Sequence, residues 1–302
     1  MSWFWIALAA PALWGMVNHV DKFIISRYFS GKGVGALVIF TSLSGLIASI
    51  FILLFNSAAI SLGAKSAIII AFNGALLVAS YIPYLHALEK EDASVITALF
   101  QLIPVFGYFL GLIFLGERLT PVQIIASFLI IVGAVVISLD ISGSMNLKVK
   151  PFLLMALSAF MIAVNALIFK IIAVEENFWG TAFWEYVGAF TFGLLLFLFV
   201  RLYRKQFVET VRRGKGMIFS LNIFAELLNV CAKLLANFAS LLAPLALVWV
   251  VNGFQPMLVF VYGLLLTLFI PQWGKEKIER KVLVQKIASI TLIFTGAYFL
   301  LK

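Results

Sequence analysis

Apolar runs of membrane-spanning length follow one another along almost the whole of this chain. A helix needs about 20 consecutive, predominantly apolar residues to cross a bilayer, and ten runs of that kind can be marked off among the 302 residues. They cover approximately residues 3–25, 34–55, 66–88, 93–115, 120–140, 151–174, 178–201, 216–241, 243–270 and 283–301. Each run predicts a transmembrane helix, so the expected fold is an all-α polytopic membrane protein with little chain left for a soluble domain.

The composition also indicates a bilayer environment. Hydrophobic residues make up 64% of the chain and charged residues 12%, against about 45–50% and about 25% in soluble proteins. The first run begins at Trp3 without a basic leader, so we expect a retained span and not a removed signal peptide. The single cysteine, Cys231, excludes an internal disulfide and a cysteine-based metal cluster.

The net charge of +9 is concentrated in the short loops between the runs. Of the 22 Lys and Arg residues, 17 fall in the loops that follow runs 1, 3, 5, 7 and 9, all on one side of the membrane. Basic loops stay in the cytoplasm, so we expect that side to be cytoplasmic and both termini to lie outside. Because orientation accounts for the basic residues, no nucleic-acid partner is expected. The expected location is the cytoplasmic (inner) membrane of a prokaryote.

The two halves of the chain share short sequence matches. VQIIAS at 122–127 resembles VQKIAS at 284–289, and upstream of these segments Pro104 and Pro256 occupy corresponding places. Paired helix interruptions point to the binding site of a transporter. Simple kinks between packed helices are the alternative interpretation of the two prolines.

A further match, Asn18 in VNHVDKFII with Asn165 in VNALIFKII, extends the similarity toward the start of each half. We therefore interpret residues 1–145 and 146–302 as two five-helix repeats, with chance similarity between apolar segments as the alternative. Because each repeat holds an odd number of spans, the second enters the membrane inverted relative to the first. Inverted repeats are typical of secondary transporters, which bind substrate near the midplane between the halves.

Five polar residues in run 8 are spaced four, three, four and four apart and fall within an arc of about 80° on a helix. They are Asn222, Glu226, Asn229, Lys233 and Asn237. A charge at the centre of a bilayer costs about 2.5 to 3.5 kcal/mol, so this stripe is expected to face the protein interior. Two interpretations remain open: a water-lined substrate pathway, or a structural ladder of hydrogen bonds and an ion pair.

Depth in the membrane suggests a partner for Lys233. Glu185 lies about seven residues from the outer end of run 7, and Lys233 about eight from that of run 8, which places both ~10 to 12 Å deep. We therefore predict an ion pair between them. Glu226 has no obvious partner at its depth, and it is expected either to bind and release a proton during transport or to be a neutral, hydrogen-bonded acid.

Amide and aromatic residues in other runs are candidates for the lining of a binding pocket. They are Trp14, Asn18, Tyr81, Tyr84, Gln101, Asn252 and Gln255. Aromatic residues near the ends of spans are alternatively anchors at the membrane interface.

Motifs of enzymes and metalloproteins are missing from the sequence. It contains neither a GxxxxGK[ST] phosphate loop nor an HExxH motif, and it has two histidines in total. We therefore expect no enzymatic activity, no metal site and no cofactor.

The sequence resembles the EamA-type branch of the drug/metabolite transporter superfamily along nearly its whole length. The resemblance is carried by Trp14 and Gly15 in the first run, Pro104 in PVF, and GERLTP at 116–121 followed by a run that contains Gly133. It implies ten helices in two inverted halves, alternating access, and export or exchange of small metabolites such as amino acids. Some relatives carry sugar phosphates or nucleotide sugars.

We therefore expect a secondary transporter, proton-linked or exchange-type, with Glu226 as the coupling candidate and Lys233 as an anchor for an anionic group. The expected partners are a small-molecule substrate, protons, the lipid bilayer and a second copy of the chain in a homodimer. A non-transporting membrane scaffold or a lipid-handling protein, in which the stripe is structural, is the alternative.

Overall fold

The structure, a computed structural model, describes residues 2–28, 34–88, 99–138, 149–213, 216–269 and 280–301. Within these ranges the secondary structure is helical, with no strand, which confirms the all-α prediction. The α-helices are α1 Ser2–Tyr28, α2 Val34–Phe55, α3 Ala64–Leu88, α4 Leu102–Leu115, α5 Pro121–Ser138, α6 Val149–Glu175, α7 Phe178–Phe199, α8 Arg201–Arg213, α9 Gly216–Leu242, α10 Leu245–Val251, α11 Gln255–Phe269 and α12 Arg280–Leu300. Short 3₁₀ helices are formed by Ser57–Ile60 and Asn252–Phe254.

Seven helical segments in the described ranges are long and apolar enough to cross a membrane. They are Val34–Phe55, Ala64–Ala87, Val149–Glu175, Phe178–Phe199, Ile223–Leu242, Leu245–Phe269 and Leu283–Leu300. Leu102–Leu115 and Pro121–Val136 are shorter apolar helices. The first nine residues of the predicted run 93–115 lie mostly outside the described residues. These spans identify an integral membrane protein.

Large apolar side chains cover the outside of the helix bundle. Phe55, Phe72 and Phe199 are 86%, 74% and 79% exposed. Exposure on this scale is unfavourable in water and is expected where the solvent is lipid. The bilayer prediction from composition and the surface of the folded chain therefore agree.

Small residues allow the backbones of α3 and α7 to touch. A Cβ atom added to Gly74 would lie 1.9 Å from the carbonyl oxygen of Glu185, and one added to Gly188 would lie 1.8 Å from that of Ala71. Close approach of this kind is typical of helix pairs in membranes, where packing between small residues replaces the hydrophobic effect. The turn of α7 that carries Glu185 is thereby held against α3.

The contacts between helices define which helices are neighbours in the bundle. Helix α3 packs extensively on α6 and α7, α2 packs on α7, α1 on α9, and α5 on α12. Helix α4 packs on α6 and α10. The predicted polar stripe on α9 therefore lies between α1 on one side and the group formed by α3, α6 and α7 on the other.

The segment between runs 7 and 8 differs from the expected simple loop. It forms the 13-residue helix α8, which the search for apolar runs of spanning length missed because five of its residues are basic. Val200, with φ −97° and ψ 91°, ends α7 and separates the two helices.

The two prolines follow helix breaks of the same form. In the first half the amide of Ile103 donates a 2.9 Å hydrogen bond to the carbonyl of Phe100, and in the second the amide of Gln255 donates to the carbonyl of Asn252. Both bonds span three residues, the 3₁₀ spacing. In each half the accepting residue lies four positions before the proline.

Candidate functional site

A buried carboxylate, that of Glu185 on α7, is the centre of a polar cluster between four helices. Glu185 is 0% exposed. Its Oε1 accepts hydrogen bonds from the side-chain amides of Asn165 on α6, at 2.8 Å, and Asn73 on α3, at 3.2 Å, and its Oε2 accepts one from Asn237 on α9, at 3.5 Å. A buried charge is tolerated only when it is paired and hydrogen-bonded, and these three amides supply part of that compensation.

Lys233 on α9 supplies the opposite charge. Its Nζ lies 3.9 Å from Glu185 Oε1 and donates a 2.6 Å hydrogen bond to Asn165 Oδ1. The ion pair predicted from membrane depth is thus present in the structure. Asn165 bridges the two charged groups, because its amide nitrogen donates to the carboxylate while its oxygen accepts from the ammonium group.

Two asparagines link α3 to α6 inside the same cluster. Asn73 Nδ2 donates to the carbonyl of Asn165 at 3.0 Å, and Asn165 Nδ2 donates to the carbonyl of Asn73 at 3.1 Å. Among the described residues, Asn73 Oδ1 is buried without a hydrogen-bond partner, which leaves one acceptor open beside the charged pair. Sequence reasoning missed Asn73 and used Asn165 only to align the repeats; the signal available was an isolated amide within each apolar run.

The other end of the stripe faces α1. Asn229 Nδ2 donates to Glu226 Oε2 at 3.3 Å, and Trp14 Nε1 donates to Asn229 Oδ1 at 2.8 Å. The ring of Trp14 stacks on that of Trp249, with centroids 6.3 Å apart. The expectation that Glu226 has no partner at its depth was therefore wrong, because Asn229, one turn along the same helix, reaches it. The side chain of Asn222 lies outside the described residues.

The remaining sequence candidates are more dispersed. Asn18 is exposed on α1, whereas Tyr81 is half-buried on α3, as is Tyr84, whose ring packs 5.1 Å from that of Phe100. Gln101 is buried at the start of α4, and within the described residues its Oε1 has no hydrogen-bond partner. Asn252 and Gln255, both half-buried, form the break between α10 and α11.

A second, partly buried ion pair connects Glu117, in the GERLTP segment, to Lys170 on α6. Lys170 Nζ also donates to the carbonyl of Ala243 at 2.7 Å, and Glu117 Oε2 accepts from the backbone amide of Leu245 at 2.8 Å. Gly116, with φ 64°, ends α4 in the left-handed conformation and turns the chain toward this contact. The pair joins the α4–α5 turn to α6 and to the α9–α10 connection, which sequence reasoning did not foresee.

Comparison with known families agrees with this architecture. Residues 1–139 match the model of the EamA-like transporter family. The match agrees with the resemblance seen in the sequence, and it suggests a membrane transporter of the drug/metabolite transporter superfamily.

The complete fold is similar to that of solved structures. One of them, titled only "Crystal structure of protein", superposes with a TM-score of 0.73 over 99% of this chain and 95% of the other, at 16% sequence identity. At that identity the likeness concerns the fold alone. No curated protein matches the chain.

Proposed function

We propose that this chain is a secondary transporter that exports or exchanges small polar metabolites, such as amino acids, by alternating access. The observation that carries the proposal is the buried pair of Glu185 and Lys233, held by amides where α3, α6, α7 and α9 meet. Ionisable residues inside a membrane span are expensive and usually mark a substrate or ion pathway. The family match of residues 1–139 points in the same direction.

Two inverted repeats, residues 1–145 and 146–302, would supply the ten spans of this transporter. In that scheme α1 to α5 are spans 1 to 5, and spans 6 to 10 are α6, α7, α9, α10 with α11, and α12. If the two repeats are exchanged, α1 corresponds to α6 and α9 corresponds to α3, so the α1–α9 contact corresponds to the α3–α6 contact. Both contacts are extensive. The equivalent 3₁₀ breaks at Phe100 and Asn252 support the same relation.

One contact departs from this symmetry. Helices α3 and α7 pack closely through Gly74 and Gly188, whereas the related pair, α9 and α2, make only slight contact. In alternating access two such interfaces are expected to close in turn. The conformation described here is then the one with the α3–α7 interface closed and the α2–α9 interface loose.

The charged pair suggests how a zwitterionic substrate binds. Without substrate, Lys233 and Glu185 compensate each other at 3.9 Å. A substrate carboxylate would replace Glu185 as the partner of the ammonium group, and a substrate ammonium would replace Lys233 as the partner of the carboxylate. Neither charge would be left unpaired during the exchange, which avoids the large penalty for an isolated buried ion.

Proton coupling through Glu226 is a separate part of the proposal. Its side chain is half-buried and accepts a hydrogen bond from Asn229, and Trp14 extends the contact to α1. A carboxyl group that meets the pathway at the junction of α1 and α9 can exchange a proton when the two helices separate. The alternative, a scaffold or lipid-handling protein with a purely structural polar cluster, predicts no such exchange.

Transport by purified protein in proteoliposomes tests the proposal. We expect the wild type to show uptake or counterflow of at least one labelled amino acid. Lys233→Met should lose this flux. Glu226→Gln should keep the flux, but the flux should no longer depend on a pH gradient. Lys65→Met, which removes an exposed lysine at the start of α3, is the control and should transport normally. Absence of flux for a broad panel of metabolites would favour the scaffold.

A ligand screen by thermal shift separates binding from transport. Metabolites that raise the unfolding temperature of the wild type should not do so in Lys233→Met. If the shifts persist unchanged in both Lys233→Met and Glu226→Gln, the stripe is not part of the binding site.

Orientation is proposed from loop charge alone: both termini outside, in the inner membrane of a prokaryote. A reporter fused within α8 should then be found in the cytoplasm, and a reporter outside would reverse the assignment.

A further inference from the structure

Helix α8, with the sequence RLYRKQFVETVRR, has no role in the pathway described above. Its 13 residues make a helix about 20 Å long that directly follows the span α7 and precedes the span α9. Five basic residues prevent it from crossing the hydrocarbon core. The extended residue Val200 allows the chain to turn, so α8 is suited to lie along the membrane surface.

The inner face of α8 is fixed to the first turns of α2. The ring of Phe207 lies between Phe40 and Phe197, with centroid distances of 4.8 and 5.7 Å. Gln206 Oε1 accepts a 3.0 Å hydrogen bond from the backbone amide of Gly35, one of the amides at the start of α2 that have no partner within their own helix. Movement of α8 therefore acts directly on the beginning of α2.

The opposite face of α8 is cationic. Arg201, Lys205 and Arg212 are exposed and, at spacings of four and seven residues, fall within about 40° of one another; we call them the cationic face. Glu209 lies 3.9 Å from Lys205 at the edge of this face, and Arg204 instead donates to a carbonyl in the last turn of α7, at 3.2 Å.

Apolar side chains lie on the flanks between the packed face and the cationic face. Leu202 and Val211 are 61% and 48% exposed, although they lie beside a strongly basic surface. A helix that combines exposed apolar flanks with a basic face is suited to the interface, where the flanks enter the acyl boundary and the cations meet the lipid phosphates.

We propose that the cationic face of α8 binds the headgroups of anionic phospholipids, and that bound lipid holds the start of α2 in place through Gln206 and Phe207. The charge complementarity is with the membrane in which the protein is embedded, so the site needs no soluble ligand. Because α2 is one partner of the loose α2–α9 interface, anionic lipid would bias the conformation of the protein at that interface.

Native mass spectrometry with phosphatidylglycerol and phosphatidylcholine of matched acyl chains measures the binding. We expect the wild type to prefer phosphatidylglycerol, and the triple variant Arg201→Gln/Lys205→Gln/Arg212→Gln to bind it roughly 100-fold more weakly, since each basic residue near an anionic surface contributes about 1 kcal/mol. The preference should disappear near 1 M salt, where the Debye length is about 3 Å.

A matched triple variant, Lys65→Gln/Lys150→Gln/Lys281→Gln, removes the same charge from exposed positions outside α8 and should keep the preference. Equal binding of the two lipids by the wild type would overturn the proposal, as would an unchanged preference in the α8 variant.

The effect on α2 has its own readout. Phosphatidylglycerol should raise the unfolding temperature of the wild type and of the matched control, and should raise that of Gln206→Ala by less, because this variant keeps the cationic face and binds the lipid but loses the hydrogen bond to Gly35. Equal thermal stabilisation of Gln206→Ala and the wild type would show that bound lipid does not act through α2.

Discussion

Removal of one partner from the Glu185–Lys233 pair should destabilise the protein far more than removal of one partner from an exposed ion pair. The groups are 3.9 Å apart, and the side chains are 0% and 10% exposed. At an effective dielectric constant of about 20, two charges at this distance interact with about 4 kcal/mol. Breaking a buried pair on one side typically costs about 3–5 kcal/mol, because a charge remains buried and unpaired.

Hydrogen bonds that remain in the cluster should keep the loss of unfolding free energy for each single substitution near the lower end of that range. After Lys233→Met, three amides still donate to the carboxylate, and after Glu185→Gln the ammonium group retains Asn165 Oδ1. We expect each variant to lose about 3 kcal/mol of unfolding free energy. The double variant, with no unpaired charge, should lose about as much as either single one, which gives a coupling energy of about 3 kcal/mol.

The chain offers a control pair at the same distance. Lys205 and Glu209 on α8 are also 3.9 Å apart, but their side chains are 74% and 51% exposed. A double-mutant cycle of Lys205→Met and Glu209→Gln should give a coupling energy of no more than about 0.5 kcal/mol. Unfolding in mixed micelles with increasing sodium dodecyl sulfate, followed by tryptophan fluorescence, measures both cycles. Additive effects of Glu185→Gln and Lys233→Met would refute the reasoning.

Three further predictions concern other contacts. Glu117→Gln should lower the unfolding free energy by about 2 kcal/mol, because it removes a charge-assisted hydrogen bond from a partly buried ion pair. Glu176→Gln, at an exposed position, should change it by less than about 0.5 kcal/mol. Gly74→Ala should lower the unfolding free energy by about 3 kcal/mol or prevent folding, since the added Cβ would lie 1.9 Å from a backbone oxygen. Gly107→Ala is the control and should leave the stability unchanged, because the atom nearest to its added Cβ is 3.7 Å away. Thermal unfolding compares the two variants. Trp14→Phe should lose about 1 kcal/mol by removing one hydrogen bond while the ring stacking remains, and equal stability of this variant and the wild type would show that the bond is unimportant.

Features that depend on periodicity or depth along one helix could be predicted from the sequence. The stripe on α9 follows from residue spacing, and the Glu185–Lys233 pair follows from equal depth on neighbouring spans. The helix breaks before Pro104 and Pro256 follow from the aligned prolines.

Features that depend on how distant helices pack could not be predicted in the same way. Nothing in an apolar run shows that Asn73 faces α6, because that depends on the close contact of α3 with its neighbours. Glu117 and Lys170 are 53 residues apart and meet only after the α4–α5 turn folds over α6. Helix α8 was missed for a different reason, since a search for spanning runs passes over an amphipathic surface helix.

The glycine contacts between α3 and α7 also restrict which movements can open the protein. A shift of one residue along a helix is 1.5 Å and a full turn is 5.4 Å, and either would bring a side chain against the backbone positions that Gly74 and Gly188 now occupy. Sliding of α3 along α7 is thus sterically blocked, and the α3–α7 interface can open only if the two helices separate. As long as they remain in contact, Glu185 keeps its position against α3, and a change of access near the carboxylate comes from displacement of α9 with Lys233.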